Sequence, residues 1–250
     1  MSSSGGGAWI YQGDNFHYNW LTMGFLRRTT DSQFFTGDIA YGGLLPLYSD
    51  DEKATLLQWL DDMYPTENVA CLGDSRFNSA EWIELELEAH SRDYAWGFSE
   101  LATGGNTIGV VDTGWAAAPD FATTALILVG INDIIAGTTG TTAGNAFDAL
   151  VDTALAKSTR RIIVCNETPF GANASWTAGR QAELDTLRAR IAAKAAMHDR
   201  VFLYDSYSVM DDPGNPGSLR ASDTTDGLHF NTAGTQRFAS GLFDQFYGAE

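Results

Sequence analysis

Asn68-Val-Ala-Cys-Leu-Gly-Asp-Ser-Arg-Phe-Asn78 opens as an apolar run and closes on a small polar turn. A short apolar run bounded by turn residues reads as a strand buried on both faces, and such strands belong to parallel sheets covered by helices. Reading outward, the same unit recurs. Tyr94 to Leu101, Ala125 to Val129, Arg161 to Cys165 and Val201 to Tyr204 are further apolar runs, which with Val69 to Leu72 make five expected strands. Between and after them lie stretches with helical spacing: Ser79 to His90, Ala143 to Ala156, Trp176 to Met197 and Thr232 to Phe246. Alternating strands and helices predict an α/β fold, and right-handed crossovers would place helices on both faces of the sheet.

The first 65 residues follow another rule. Trp9 to Tyr48 is rich in glycine and aromatic residues without a sustained period, whereas Asp51 to Tyr64 carries Leu56, Leu57, Leu60 and Met63 at helical spacing behind an acidic first turn. We therefore expect residues 1–65 to form an arm and one helix, ahead of a main domain over 66–250. The opening Ser-Ser-Ser-Gly-Gly-Gly has the composition of a flexible tether. Aromatics of the arm are expected to pack against the main domain rather than to bind sugar.

Composition narrows the function classes. With 32 acidic against 15 basic residues the formal charge is −17, which repels a phosphate backbone; nucleic acid is not an expected partner. No run of about 18 apolar residues is present to span a membrane, and the start has no basic flank followed by an apolar stretch, so no export signal is read there. The sequence assigns neither a compartment nor an oligomeric state. Cys71 and Cys165 each fall in a strand run and are expected as buried thiols, because no Cys/His spacing suits zinc.

Chemistry concentrates where strands end. Ser75 follows the carboxyl end of the first apolar run, where open parallel sheets place their ligand crevice. A helix started after it would turn backbone N–H groups toward charge developing at its hydroxyl. A serine nucleophile needs a base. Of the four histidines, His17 lies in the arm, while His90 and His198 end helical stretches. His229 lies in Asp223-Thr-Thr-Asp-Gly-Leu-His-Phe-Asn-Thr-Ala-Gly234, directly before the last helix and three residues after Asp226. That spacing on a turn lets the carboxylate fold back on the imidazole, fix its tautomer and leave the other nitrogen free to take a proton. A third strand exit, Leu128-Val-Gly-Ile-Asn-Asp133, offers the side-chain amide of Asn132 as an oxyanion donor, with Gly130 allowing a close backbone turn past the serine.

These three blocks, in this order and at strand exits, resemble the SGNH (GDSL-like) hydrolase superfamily, over Val69 to Tyr247. The resemblance implies a flavodoxin-like three-layer α/β/α sandwich around a five-stranded parallel sheet, and a serine esterase in which Ser75 is the nucleophile, His229 the base and Asp226 its partner. It further implies an oxyanion hole made by the Ser75 N–H, the Asn132 side chain and a glycine N–H. For that glycine the block Ala102-Thr-Gly-Gly-Asn-Thr-Ile-Gly109 departs from the family's Asn-x-Gly spelling. Gly105 is our choice, with Gly104 the alternative.

Two other departures are Arg76, where the family name has leucine, and Phe230, where similar proteins carry proline; neither is expected to touch the chemistry. The Gly-x-Ser-x-Gly elbow is absent because Phe77 holds its second glycine position, and no Walker lysine, Gly-x-Gly-x-x-Gly or His-Glu-x-x-His occurs. No metal or organic cofactor is implied. The expected substrate is a small-molecule or carbohydrate ester with a short acyl or acetyl group, chosen by the loops over 166–180 and 206–223. Phe170, Trp176 and Tyr207 either wall an acyl pocket or pack loops. Lysophospholipid or thioester cleavage, and a binding or structural module without turnover, are the alternatives.

Overall fold

The computed structural model describes residues 2–4, 8–10, 20–22, 44–46, 67–78, 85, 87–89, 91, 92, 96–120 and 122–247. The chain divides into two compact units, Met1–Tyr64 and Pro65–Glu250. In the first, β1 (Ser2–Ser4) pairs antiparallel with β2 (Ala8–Ile10), and β3 (Trp20–Thr22) with β4 (Leu44–Pro46). The helix expected over Asp51 to Tyr64 lies outside the described residues.

The second unit is built on five parallel strands: β5 (Asn68–Gly73), β6 (Gly97–Glu100), β7 (Thr124–Leu128), β8 (Arg161–Cys165) and β9 (Val201–Tyr204), in the order β6-β5-β7-β8-β9. All five coincide with the apolar runs, and the fold is the three-layer α/β/α sandwich with a parallel sheet expected from the sequence. Strand side chains alternate between faces. Ala70, Leu72, Ala125, Ile127, Ile162 and Val164 face one core, shared with α1 (Ile108–Ala117), α3 (Gly140–Ala156) and α4 (Ala178–Ala195). Val69, Cys71, Leu126, Leu128, Ile163 and Cys165 face the other, shared with Leu85, Ala89 and α6 (Thr232–Tyr247). Each fully buried Leu, Ile or Phe in these layers stabilises the fold by about 1.5–3 kcal/mol. The two free thiols sit in the second core, where burial pushes both well above the usual thiol range.

Two short helices complete the unit, α2 (Ile131–Ile135) after β7 and α5 (Ser206–Met210) after β9. The long helices begin where threonine caps them: the Thr139 hydroxyl accepts from the Thr142 N–H at 3.2 Å and that of Thr177 from the Arg180 N–H at 3.1 Å. The helical stretch expected from Ser79 lies mostly outside the described residues; Leu85 and Leu87 within it are helical. No helix among the described residues is long and apolar enough to cross a membrane.

Candidate active site

Parallel strands all end on the same edge of the sheet, so the segments after β5, β6, β7 and β8 meet there. Ser75 stands two residues past β5, in a turn closed by the Phe77 N–H donating to Asp74 O at 3.1 Å. Its partner comes from the far end of the chain: Ser75 Oγ lies 2.8 Å from His229 Nε2. His229 Nδ1 lies 2.6 Å from Asp226 Oδ2. A carboxylate only accepts, so Nδ1 carries the proton and Nε2 is left to accept from the serine hydroxyl. Asp226 Oδ1 meanwhile accepts the N–H groups of Leu228 at 2.9 Å and His229 at 2.8 Å. Burial pushes the Asp226 carboxyl up, but hydrogen bonds from the His229 ring and these two amides outweigh it and hold the group at about 2. The side chains of His229 and Asp226 are 44% and 45% exposed.

The loop that carries the pair is fixed from both sides. Thr224 Oγ donates to His229 O at 2.6 Å and accepts the Gly227 N–H at 3.0 Å. Gly227 has φ +77 and presses on the segment after β8, where a Cβ would fall 2.5 Å from the carbonyl carbon of Ala172. Asn173 Nδ2 donates to Asp226 O at 2.9 Å across the same contact.

Opposite the histidine, residues 103–106 form a turn closed by the Asn106 N–H to Thr103 O at 3.1 Å, with Gly105 at φ +82. Gly104 flanks the nucleophile: a Cβ on it would lie 3.8 Å from Ser75 Cβ, whereas one on Gly105 would meet nothing within 4 Å. Neither glycine N–H donates to another described residue. Asn106 Nδ2 donates to Gly73 O at 3.2 Å, and Asn132 Nδ2 donates to Asn106 O at 3.0 Å. The structure thus brings Asn132 to the glycine turn beside Ser75. Neighbouring Asp133 is buried and accepts the Ile108 N–H at 3.0 Å; burial raises its pKa against that bond.

Gly130 serves another purpose than the one read from the sequence. Its φ is +142, and a Cβ there would fall 2.6 Å from Leu187 and 3.0 Å from Glu167 Oε1 rather than against the serine. Arg76 is wholly buried and ion-paired with Asp74 at 2.7 Å and Glu167 at 2.5 Å. Burial disfavours its cation, but the two carboxylates outweigh this and raise its pKa above the ordinary value. Phe170 is buried in the core, and Tyr207 lies under the Arg188 guanidinium at 4.1 Å, so these two pack. Trp176 remains exposed. His198 precedes β9, at the opposite edge of the sheet from Ser75; His17 and His90 lie outside the described residues. Asn106, Thr224, Asn173 and Glu167 were not singled out in the sequence, since no local motif marks them.

Among the described residues no group of three or more His, Cys, Asp or Glu is arranged to hold a metal ion. Residues 69–237 match the model of the GDSL-like lipase/acylhydrolase family. Similar solved structures include a member of the lipolytic protein G-D-S-L family from Veillonella parvula (TM-score 0.59, 19% identity, covering 72% of this chain and 97% of that one). The acetyl xylan esterase AlAXEase (0.59, 15%, 72% and 99%) and the psychrotrophic esterase EstA from Pseudoalteromonas (0.56, 15%, 71% and 95%) share the same fold. No curated protein matches the chain in sequence.

Proposed function

Because this chain belongs to the GDSL-like lipase/acylhydrolase family, a family of ester hydrolases, we propose that it is a serine carboxylic-ester hydrolase acting through Ser75, His229 and Asp226. The observation that carries this reading is the continuous relay from Ser75 Oγ to His229 Nε2 at 2.8 Å and from His229 Nδ1 to Asp226 at 2.6 Å. Ser75 Oγ attacks the ester carbonyl while His229 Nε2 takes its proton, and Asp226 stabilises the resulting imidazolium. Collapse of the tetrahedral intermediate expels the alcohol, which receives that proton from His229. Water, deprotonated by the same histidine, then attacks the acyl-serine and releases the acid.

Charge on the oxyanion is met by the Ser75 N–H, the Asn132 side chain and a backbone N–H of the Gly104–Gly105 pair, with Gly105 our choice. One Asn132 amide hydrogen is used on Asn106 O, which leaves the other to turn toward the crevice.

The natural substrate in this reading is a short-chain acyl or acetyl ester of a small molecule or carbohydrate. The half-exposed His229–Asp226 pair and the placement of Phe170 in the core favour a shallow acyl site. Hydrolysis of para-nitrophenyl esters from acetyl to palmitoyl, with Ser75→Ala as control, tests it. Turnover that declines with chain length and vanishes in the variant is expected. No turnover together with no fluorophosphonate labelling of Ser75 would overturn it in favour of a fold that has lost catalysis.

A further inference from the structure

Arg76 is the residue after the proposed nucleophile, yet it faces away from solvent with every one of its five N–H donors engaged. Nε donates to Asp74 Oδ1 at 2.9 Å and Nη2 to Asp74 Oδ2 at 2.7 Å. Nη1 donates to Glu167 Oε2 at 2.5 Å and to Thr168 Oγ at 3.2 Å, and Nη2 also reaches Glu167 Oε1 at 3.1 Å. Asp74 Oδ1 in addition accepts the Arg76 N–H at 3.1 Å, so the serine turn itself is clamped from both sides of Ser75.

The geography of the sheet gives this cluster its meaning. Arg76 follows β5 and Glu167 follows β8, and β7 runs between those two strands. A bridge from one to the other must cross the exit of β7, and it does so beside Gly130, where a Cβ would meet Leu187 at 2.6 Å and Glu167 Oε1 at 3.0 Å. Gly130 is the cap of α2, whose first turn holds Asn132. Glu167 is held in turn by Arg188, which donates from Nε to Glu167 O at 2.7 Å and from Nη2 to Thr168 O at 2.9 Å.

We propose that Arg76 is a positioning residue that, through Glu167 lying beside Gly130, fixes the distance between Ser75 and Asn132. The two groups that must meet the same carbonyl carbon and oxygen lie past the ends of different strands, beyond the last ladder pair of Gly73 with Leu128. A planar fork joined to two carboxylates sets their spacing tightly, which an ammonium or an apolar side chain cannot. Displacements of about 1 Å at such a distance from the chemistry can cost up to 10²-fold in rate. The arrangement rests on the esterase reading above.

Arg76→Lys keeps the charge and removes the fork. In folded protein, verified by near-ultraviolet circular dichroism, kcat on para-nitrophenyl acetate should fall about tenfold with KM within about twofold, and fluorophosphonate labelling of Ser75 should slow in parallel. A residue that merely stabilises the fold would leave both unchanged per folded molecule. The decisive comparison is Arg76→Lys in an Asn132→Ala background: with the oxyanion donor gone its spacing no longer matters, so the lysine should cost under about threefold. An undiminished kcat in folded Arg76→Lys, or the same factor in both backgrounds, overturns the inference. If Arg76→Lys does not fold, Glu167→Gln keeps the shape and one acceptor, and the same kcat loss without a KM change is required of it. A parent enzyme that neither turns over esters nor labels at Ser75 defeats the esterase reading itself; a labelled, active parent with an indifferent Arg76 defeats this one alone.

Discussion

His229 Nδ1 sits 2.6 Å from Asp226 Oδ2 in a loop that leaves nearly half of each side chain exposed. Three hydrogen bonds from His229 and Leu228 therefore bind this carboxylate against the competing pull of solvent. Asp226→Asn keeps the shape but reverses the donor, which favours the wrong imidazole tautomer. In the proposed mechanism kcat should fall by about 10²–10⁴, and less than in His229→Ala, measured on a short-chain ester under saturation.

The Asp226 carboxyl should titrate at about 2, followed by its carbon chemical shift, and should move up toward the ordinary carboxylate range in His229→Ala. The folded value lies below the unfolded one. Its contribution to stability is thus complete above the unfolded carboxylate pKa near 4 and is lost as pH falls through about 2. A midpoint near 4 in the parent protein would contradict the hydrogen-bond pattern.

Asn132→Ala removes a side chain that pins the glycine turn and, in the proposed mechanism, offers an amide to the oxyanion. A loss of about 10²–10³ in kcat is expected. A change under about twofold would remove Asn132 from that role.

At Gly227 the backbone has φ +77 and the neighbouring chain leaves no space for a methyl group. Gly227→Ala should displace the His229 loop, lowering activity by more than tenfold and the unfolding free energy by about 1–3 kcal/mol. Paired denaturation and rate measurements check both, and an active, equally stable variant would show that the loop relaxes without cost.

Phe147→Ala, by contrast, empties a fully buried site in the core that α3 shares with the sheet. It should cost about 3–5 kcal/mol of stability by denaturant titration while kcat per folded molecule stays within about twofold.

What could be read from the sequence was what local pattern encodes. Buried strands such as Val69 to Leu72 announce themselves by apolar runs, and Asp226 with His229 lie three residues apart. Helix α1 escaped notice because Gly109, Gly114 and the β-branched Ile108, Val110, Val111 and Thr113 are poor helix formers. Ile108, Val111 and Trp115 make it a helix by packing into the core, a tertiary effect with weak local trace. The burial of Arg76 has no local trace either: Glu167 stands 91 positions away, and nothing near Arg76 in the chain foretells that its charge is buried. The choice between Gly104 and Gly105 turns on a backbone bend that two adjacent glycines leave undetermined.

Ser75 and His229 are separated by 154 positions, and the strands that hold them apart and together are added one after another between those points. No partial chain released from synthesis before the loop carrying His229 has emerged can therefore possess the Ser75–His229 pair. For this molecule the onset of activity would be a late clock of biogenesis, and refolding experiments scored by turnover would time the docking of the last loop rather than the collapse of the sheet.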